Sequence, residues 1–213
     1  MTRFLVLIVV VAAVATVAAE VVVPPRIEEA VAKRVAAAVP EAESVRAELD
    51  SFPVVARGLA SGEVQRLVVT LEEVARAELT IDQVQVEATG IEVARRALFD
   101  GEVDLERIDR GELRAVVTEA DLEEALPVDG IDLTLTPGRV EATVAGQTAG
   151  SDVEVVEGQV RFDLGPLPDA SVALPGPDFF PCALEGEAVQ GAVRLGCTLD
   201  RVPDYLLRRI DGG

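Results

Sequence analysis

Histidine and tryptophan are absent from this 213-residue chain, and methionine and tyrosine occur once each. Without histidine, the commonest general base and the commonest metal ligand are both missing. Basic residues are few: 19 Lys and Arg stand against 38 Asp and Glu, for a net charge of −19. Such a surface repels nucleic acid and has no general attraction for anionic membranes. Its plainest use is to keep the protein solvated. Catalytic motifs are missing too. There is no GxSxG elbow, no phosphate-cradling GxxxxGKS/T loop, no CxxC pair and no HExxH, and no stretch has the alternating oxygen ligands of an EF-hand. No nucleophile–base pair stands out that would make a hydrolase, and nothing implies a cofactor. No repeat of fixed period is present.

What is present begins at the N-terminus. Phe4 to Ala19 is apolar except for Thr16 and follows Arg3. A basic residue ahead of a long apolar run is an export signal, which places the protein beyond the cytoplasm. Cleavage after Val17-Ala18-Ala19 would make residues 1–23 a signal peptide and its remnant. Retention would make Phe4–Val23 an anchor, long enough to cross about 30 Å of hydrocarbon. Both readings stay open, and Pro24-Pro25 ends the segment either way. Residues 26–213 suffice for one domain with a sizeable core. The cysteines, Cys182 and Cys197, form an even pair in an exported chain and are read as a disulfide contributing about 3 kcal/mol through loop closure. A reactive thiol is the alternative.

Helical spacing of Ile27, Ala30, Val31, Val35 and Ala38 predicts a helix from Arg26 to Val39, ended by Pro40 and covering one face of the core. Val45–Leu49, Glu63–Leu71 and Leu79–Ala88 read as strands. The last needs one slip to keep Leu79, Ile81, Val84 and Val86 together, and Asp82-Gln83 is the place for a bulge. Short helices are expected over Pro53–Gly62 and Glu92–Gly101. Val103–Thr118 reads as two strands about a turn at Asp109-Arg110-Gly111. Thr118 with Asp121 resembles a capping pair opening a helix that Pro127 stops. From Ile131 the chain reads as β: hairpins about Pro137-Gly138 and Glu157-Gly158, a strand at Ala170–Leu174, and a hairpin within Cys182–Cys197. Pro203–Ile210 reads as a short helix. The fold class is α+β, an antiparallel sheet with short helices between its early strands. The acid group Asp121, Glu123 and Glu124 reads as a solvated helix face.

Surplus Val and Leu strands and the Phe179-Phe180 pair could line a groove for acyl chains, which gain roughly 0.8 kcal/mol per buried CH₂. The other reading is an ordinary filled core. An anionic head-group would need a local basic pocket, for which Arg95-Arg96 and Arg208-Arg209 are candidates.

The run from Ser51 to Val74 carries Phe52-Pro53, a short apolar stretch Val54–Ala60, Gly62 and the valine-rich Val64–Leu71. With Thr118, Asp121 and Leu122 before a β-rich half, it resembles the LmeA-type phospholipid-binding family of bacterial envelopes. The order of elements agrees from about Ile27 onward. Ser51 departs from the commoner glycine, and the cysteine pair does not map onto the pattern. The resemblance implies a tubular lipid-binding-like domain, a curved sheet wrapped against a long N-terminal helix. It also implies non-enzymatic binding or transfer of phospholipid, inositol phospholipid in particular, at the outer face of the cytoplasmic membrane. Enzymes of envelope-glycan assembly are implied partners. Under this reading Phe52, Leu59, Leu98, Phe99, Leu122, Phe179 and Phe180 line the lipid, and Arg57 or Arg95 meets the phosphate through its guanidinium fork. The rival reading is an envelope scaffold with a closed, dry core.

Overall fold

The computed structural model describes residues 24–50, 61–76, 78–93, 105–128, 130–165 and 170–202. Helix α1 spans residues 24–38, and α2 is Glu119–Ala125. Twelve antiparallel strands follow in chain order among the described residues. They are β1 Ala42–Leu49, β2 Glu63–Arg76, β3 Leu79–Val93, β4 Leu105–Thr118, β5 Ile131–Thr136, β6 Arg139–Val144, β7 Gln147–Ser151, β8 Val153–Val156, β9 Gln159–Phe162, β10 Ala170–Ala173, β11 Glu185–Val189 and β12 Ala192–Leu199. They make a six-stranded sheet in the order β1-β2-β3-β4-β12-β11 and two three-stranded sheets, β5-β6-β7 and β10-β9-β8.

The main core lies between these sheets. Leu71, Val84, Ala115 and Leu195 come from the large sheet, and Leu135, Val140, Val160 and Phe162 from the small ones, all at 4% exposure or less. This overturns the expectation of a sheet wrapped against a long N-terminal helix. Helix α1 has fifteen residues, roughly 22 Å at 1.5 Å per residue, and none is fully buried. Its Val31, Ala32 and Val35 only flank the core. Valine and alanine present little area, and the Leu, Ile and Phe side chains of the small sheets fill the space instead. No helix among the described residues is long and apolar enough to cross a membrane, and residues 1–23 lie outside that set.

The slip expected at Asp82-Gln83 exists as a change of buried face, but not as a bulge. Val74↔Ile81, Glu72↔Gln83 and Leu71↔Val84 pair without a break. Both strands change face at one level, and Glu73 of β2 takes a positive φ of 50° there. The turn expected at Asp109-Arg110-Gly111 is instead continuous strand, paired as Thr89↔Arg110 and Ala88↔Gly111. Ladder hydrogen bonds outweigh the local turn propensity of those residues. Of the short helices expected between early strands, residues 51–60 and 94–104 lie outside the described set, and Glu92 and Val93 belong to β3. Pro203–Ile210 also lies outside it.

Other local expectations hold. Glu157 and Gly158 both have positive φ, 52° and 74°, the backbone that a two-residue hairpin turn requires. Thr118 caps α2 with a complete capping box, and Leu126 ends it before Pro127. The acids of α2 are more than a solvated face. Glu123 and Glu119 each accept a 2.6 Å hydrogen bond from a β5 backbone N–H, those of Leu133 and Leu135. Glu28 of α1 does the same for Leu49 at the end of β1, at 2.9 Å. Carboxylates thus satisfy strand-edge N–H groups that would otherwise invite pairing. The Cys182–Cys197 disulfide is formed, tying the loop before β11 to β12.

Candidate functional site

Strands β2, β3 and β4 run on past the main core and carry a second apolar cluster of their own. It contains Val64, Ala88, Ile91, Val93 and Ile108, between 2% and 8% exposed, with Leu49, Leu67 and Val202 against it. Ile91 is the register partner of both Val64 and Ile108. Ala88 and Ile91 are three residues apart, whereas strict alternation would put them on opposite faces. Gly90 lies between them at φ +64°, and a Cβ there would stand 2.5 Å from Asp109 Oδ2. Val64 with Leu67, and Ile108 with Gly111, repeat the three-residue step on the neighbouring strands. A register shift at Glu92/Val93 then closes the ladder.

Chain connections gather at this end. The Asp50 N–H donates to Arg66 O at 3.1 Å as the chain leaves β1. Val93 N–H donates to Gly62 O at 2.8 Å where residues 51–60 rejoin the sheet. Residues 94–104 leave and return between Val93 and Leu105. Val202, the last described residue, donates to Ile108 O at 3.3 Å.

The charged rim is self-matched. Arg66 forks onto Glu87 at 2.7 and 2.9 Å and reaches Asp50 at 3.0 Å. Arg107 pairs with Glu92 at 2.6 Å and Asp109 at 2.9 Å. Hydrogen bonds donated by Arg66 hold the Glu87 carboxyl below its ordinary range, and donating to Glu87 and Asp50 raises the guanidinium still further. These arginines are already committed, so an anionic head-group here would draw on others. Among the described residues no three acidic or cysteine side chains converge to hold a metal.

Of the residues expected to line a lipid, Phe52, Arg57, Leu59, Arg95, Leu98 and Phe99 lie outside the described set, in the two segments that join the sheet at this end. Arg96 and Arg208-Arg209 lie outside it as well. Leu122 and Phe180 are in the main core at 0% and 4% exposure, with Phe179 half-buried against it. The two Phe rings meet edge to face at 4.9 Å, and Arg76 sits over Phe179 at 5.2 Å. Arg76 pairs with Leu79 at the β2–β3 hairpin. That end is twelve residues of β3 from Ile91, roughly 40 Å, so the described members of the expected lining are not beside the second cluster. The cluster itself escaped the sequence reading. Its one signal in the sequence is Gly90 inside a valine-rich strand.

The family model described as LmeA-like phospholipid-binding matches residues 18–199. No curated protein and no solved structure matches the chain.

Proposed function

The chain belongs to the LmeA-like phospholipid-binding family, and from that premise we propose that it binds phospholipid without catalysis, with acyl chains held at the far end of β2–β4. One observation carries this placement. The Val64, Ala88, Ile91, Val93 and Ile108 cluster is distinct from the main core, which it meets only at Leu67 among the described residues, and lies where residues 51–60 and 94–104 join the sheet. Those segments contain Phe52, Leu59, Leu98 and Phe99 as acyl contacts, and either Arg57 or Arg95 as the phosphate ligand. The rim arginines Arg66 and Arg107 are bound to carboxylates, which supports assigning phosphate recognition to Arg57 or Arg95. Burial of a chain supplies roughly 0.8 kcal/mol per CH₂, so a few apolar walls suffice.

This activity is proposed for the outer face of the cytoplasmic membrane, with the apolar N-terminal run serving as signal or anchor. Inositol phospholipid as preferred ligand, transfer between membranes and cooperation with glycan-assembly enzymes complete the proposal.

The test is mass spectrometry of organic extracts from exported, purified protein. A stoichiometric phospholipid, lost in a folded L98D/F99D variant, is the expected result. A folded protein that carries no lipid and takes none from vesicles would favour the closed scaffold. Lipid retained by L98D/F99D would remove residues 94–104 from the site.

A further inference from the structure

On the face of the large sheet turned away from the main core, three adjacent strands form a two-row grid. Gln83, Val116 and Arg194 are register partners across β3, β4 and β12, and so are Gln85, Arg114 and Gly196. Gly196 contributes no side chain, and a Cβ there would meet nothing nearer than the Leu113 carbonyl at 3.7 Å. The side chains around that open corner border a depression of about 390 Å³, lined by Gln83, Gln85, Arg114, Val116 and Arg194.

In a chain of net charge −19, this lining has two guanidiniums, two amides and no carboxylate. Arg114 and Arg194 are diagonal neighbours on adjacent strands, roughly 7–8 Å apart at their Cα atoms, so both forks can meet on one anion. Glu112 takes the Nη2 donor of Arg114 at 2.6 Å and offsets part of its charge, so Arg194 carries most of the attraction and Arg114 adds its remaining donors. Glu187 is the register partner of Arg194, but no ion pair joins Arg194 to a carboxylate among the described residues. Guanidinium forks match the oxygens of phosphate, and each glutamine amide adds two donors.

We propose that this depression is an oxyanion site that takes a phosphate group. It is distinct from the acyl-chain end, because Gln85 lies six residues from Ile91 along β3, roughly 20 Å, and on the opposite face from Val84 and Leu195. The phosphate is either free or a lipid head-group, since the recognising chemistry is the same.

The side-chain amide resonances of Gln83 and Gln85 would be followed during titration of the purified protein with inorganic phosphate at constant ionic strength. Saturable shifts are expected, with affinity about tenfold weaker in R194Q, the loss of one charge-assisted contact, and unchanged in R161Q, a change on β9 in a different sheet. Linear, non-saturating shifts, or equal binding by R194Q and the parent, would overturn the site. Phosphatidylcholine vesicles with and without phosphatidylglycerol identify the source. Displacement of phosphate only by the anionic vesicles assigns a head-group, and no displacement assigns free phosphate. The lipid extracted from R194Q should match the parent, so failure here is separable from failure at the acyl-chain end.

Discussion

Replacing Leu122 by alanine distinguishes a side chain that closes the core from one that faces a ligand. Leu122 is fully buried and lies on α2, whose neighbours are β3, β4 and β5. Thr118 and Asp121 cap the helix, and Leu126 N–H donates back to Leu122 O at 3.0 Å. The strands around it are held by ladder hydrogen bonds and cannot move in to fill a vacancy. A Leu→Ala change at such a site loses both transfer energy and the contacts across the cavity, about 3–4 kcal/mol. For a domain of this size that lowers Tm by roughly 10 °C. Urea unfolding of the parent and L122A, followed by circular dichroism, measures it, with the midpoint falling and the slope unchanged. Phospholipid binding by the folded variant should be unaltered. A loss below about 1 kcal/mol together with weakened lipid binding would refute this reading and return Leu122 to the lipid lining.

Three further outcomes follow from the geometry. E123A should leave the Leu133 N–H without its acceptor and cost about 1–2 kcal/mol. Hydrogen exchange should then speed up at Leu133 more than at Leu135, and equal protection in both proteins would show that Glu123 does not guard the β5 edge. G90A places a Cβ at φ +64° against Asp109 and should cost about 2 kcal/mol. G90A/D109A should recover only part of that by thermal unfolding, because it removes the carboxylate at 2.5 Å but keeps the Asp109 Cβ at 2.8 Å. The carboxyls should titrate apart when followed by NMR. Arg66 lowers Glu87, and Ser44 then Arg46 lower Glu72, while the hydrogen bond and repulsion from Glu43 raise Glu73. The stabilisation from Glu72 and Glu87 is present above the ordinary value of 4.5 and is lost as pH falls through their lower folded values. Glu73 works in the opposite sense, its protonation favouring the fold as pH falls toward 4.5. Coincident midpoints for Glu73 and Glu87 would contradict both pairings.

Elements whose controlling physics is local are legible in the sequence. The α2 capping box, the two-residue turns at Pro137-Gly138 and Glu157-Gly158, and the helix before Pro40 depend on residues within a few positions of each other. Elements that a partner strand decides are not legible there. Asp109-Arg110-Gly111 has the composition of a turn, yet β3 holds it extended. Gln147–Ser151 has no apolar alternation and was not expected as a strand, but β6 pairs with it from Val140↔Ser151 to Val144↔Gln147. The slip near Asp82-Gln83 was visible, because it is written in the spacing of Ile81 and Val84. That β2 makes the same slip was not visible, and for that reason no bulge is needed.

The candidate sites follow the same division. The amino-acid order alone determined the family, the acidic composition and the pairing of the only two cysteines. Each is a matter of composition or of patterns along the chain. Tertiary structure decided that Leu122 and Phe180 fill the core, that the small sheets rather than α1 cover the large one, and that Ile91 meets Val64 and Ile108 in a second cluster. It also decided that Arg114 and Arg194, eighty positions apart in sequence, become diagonal neighbours on one face. Register sets which side chains share a face, and it is fixed by hydrogen bonds between strands distant in sequence.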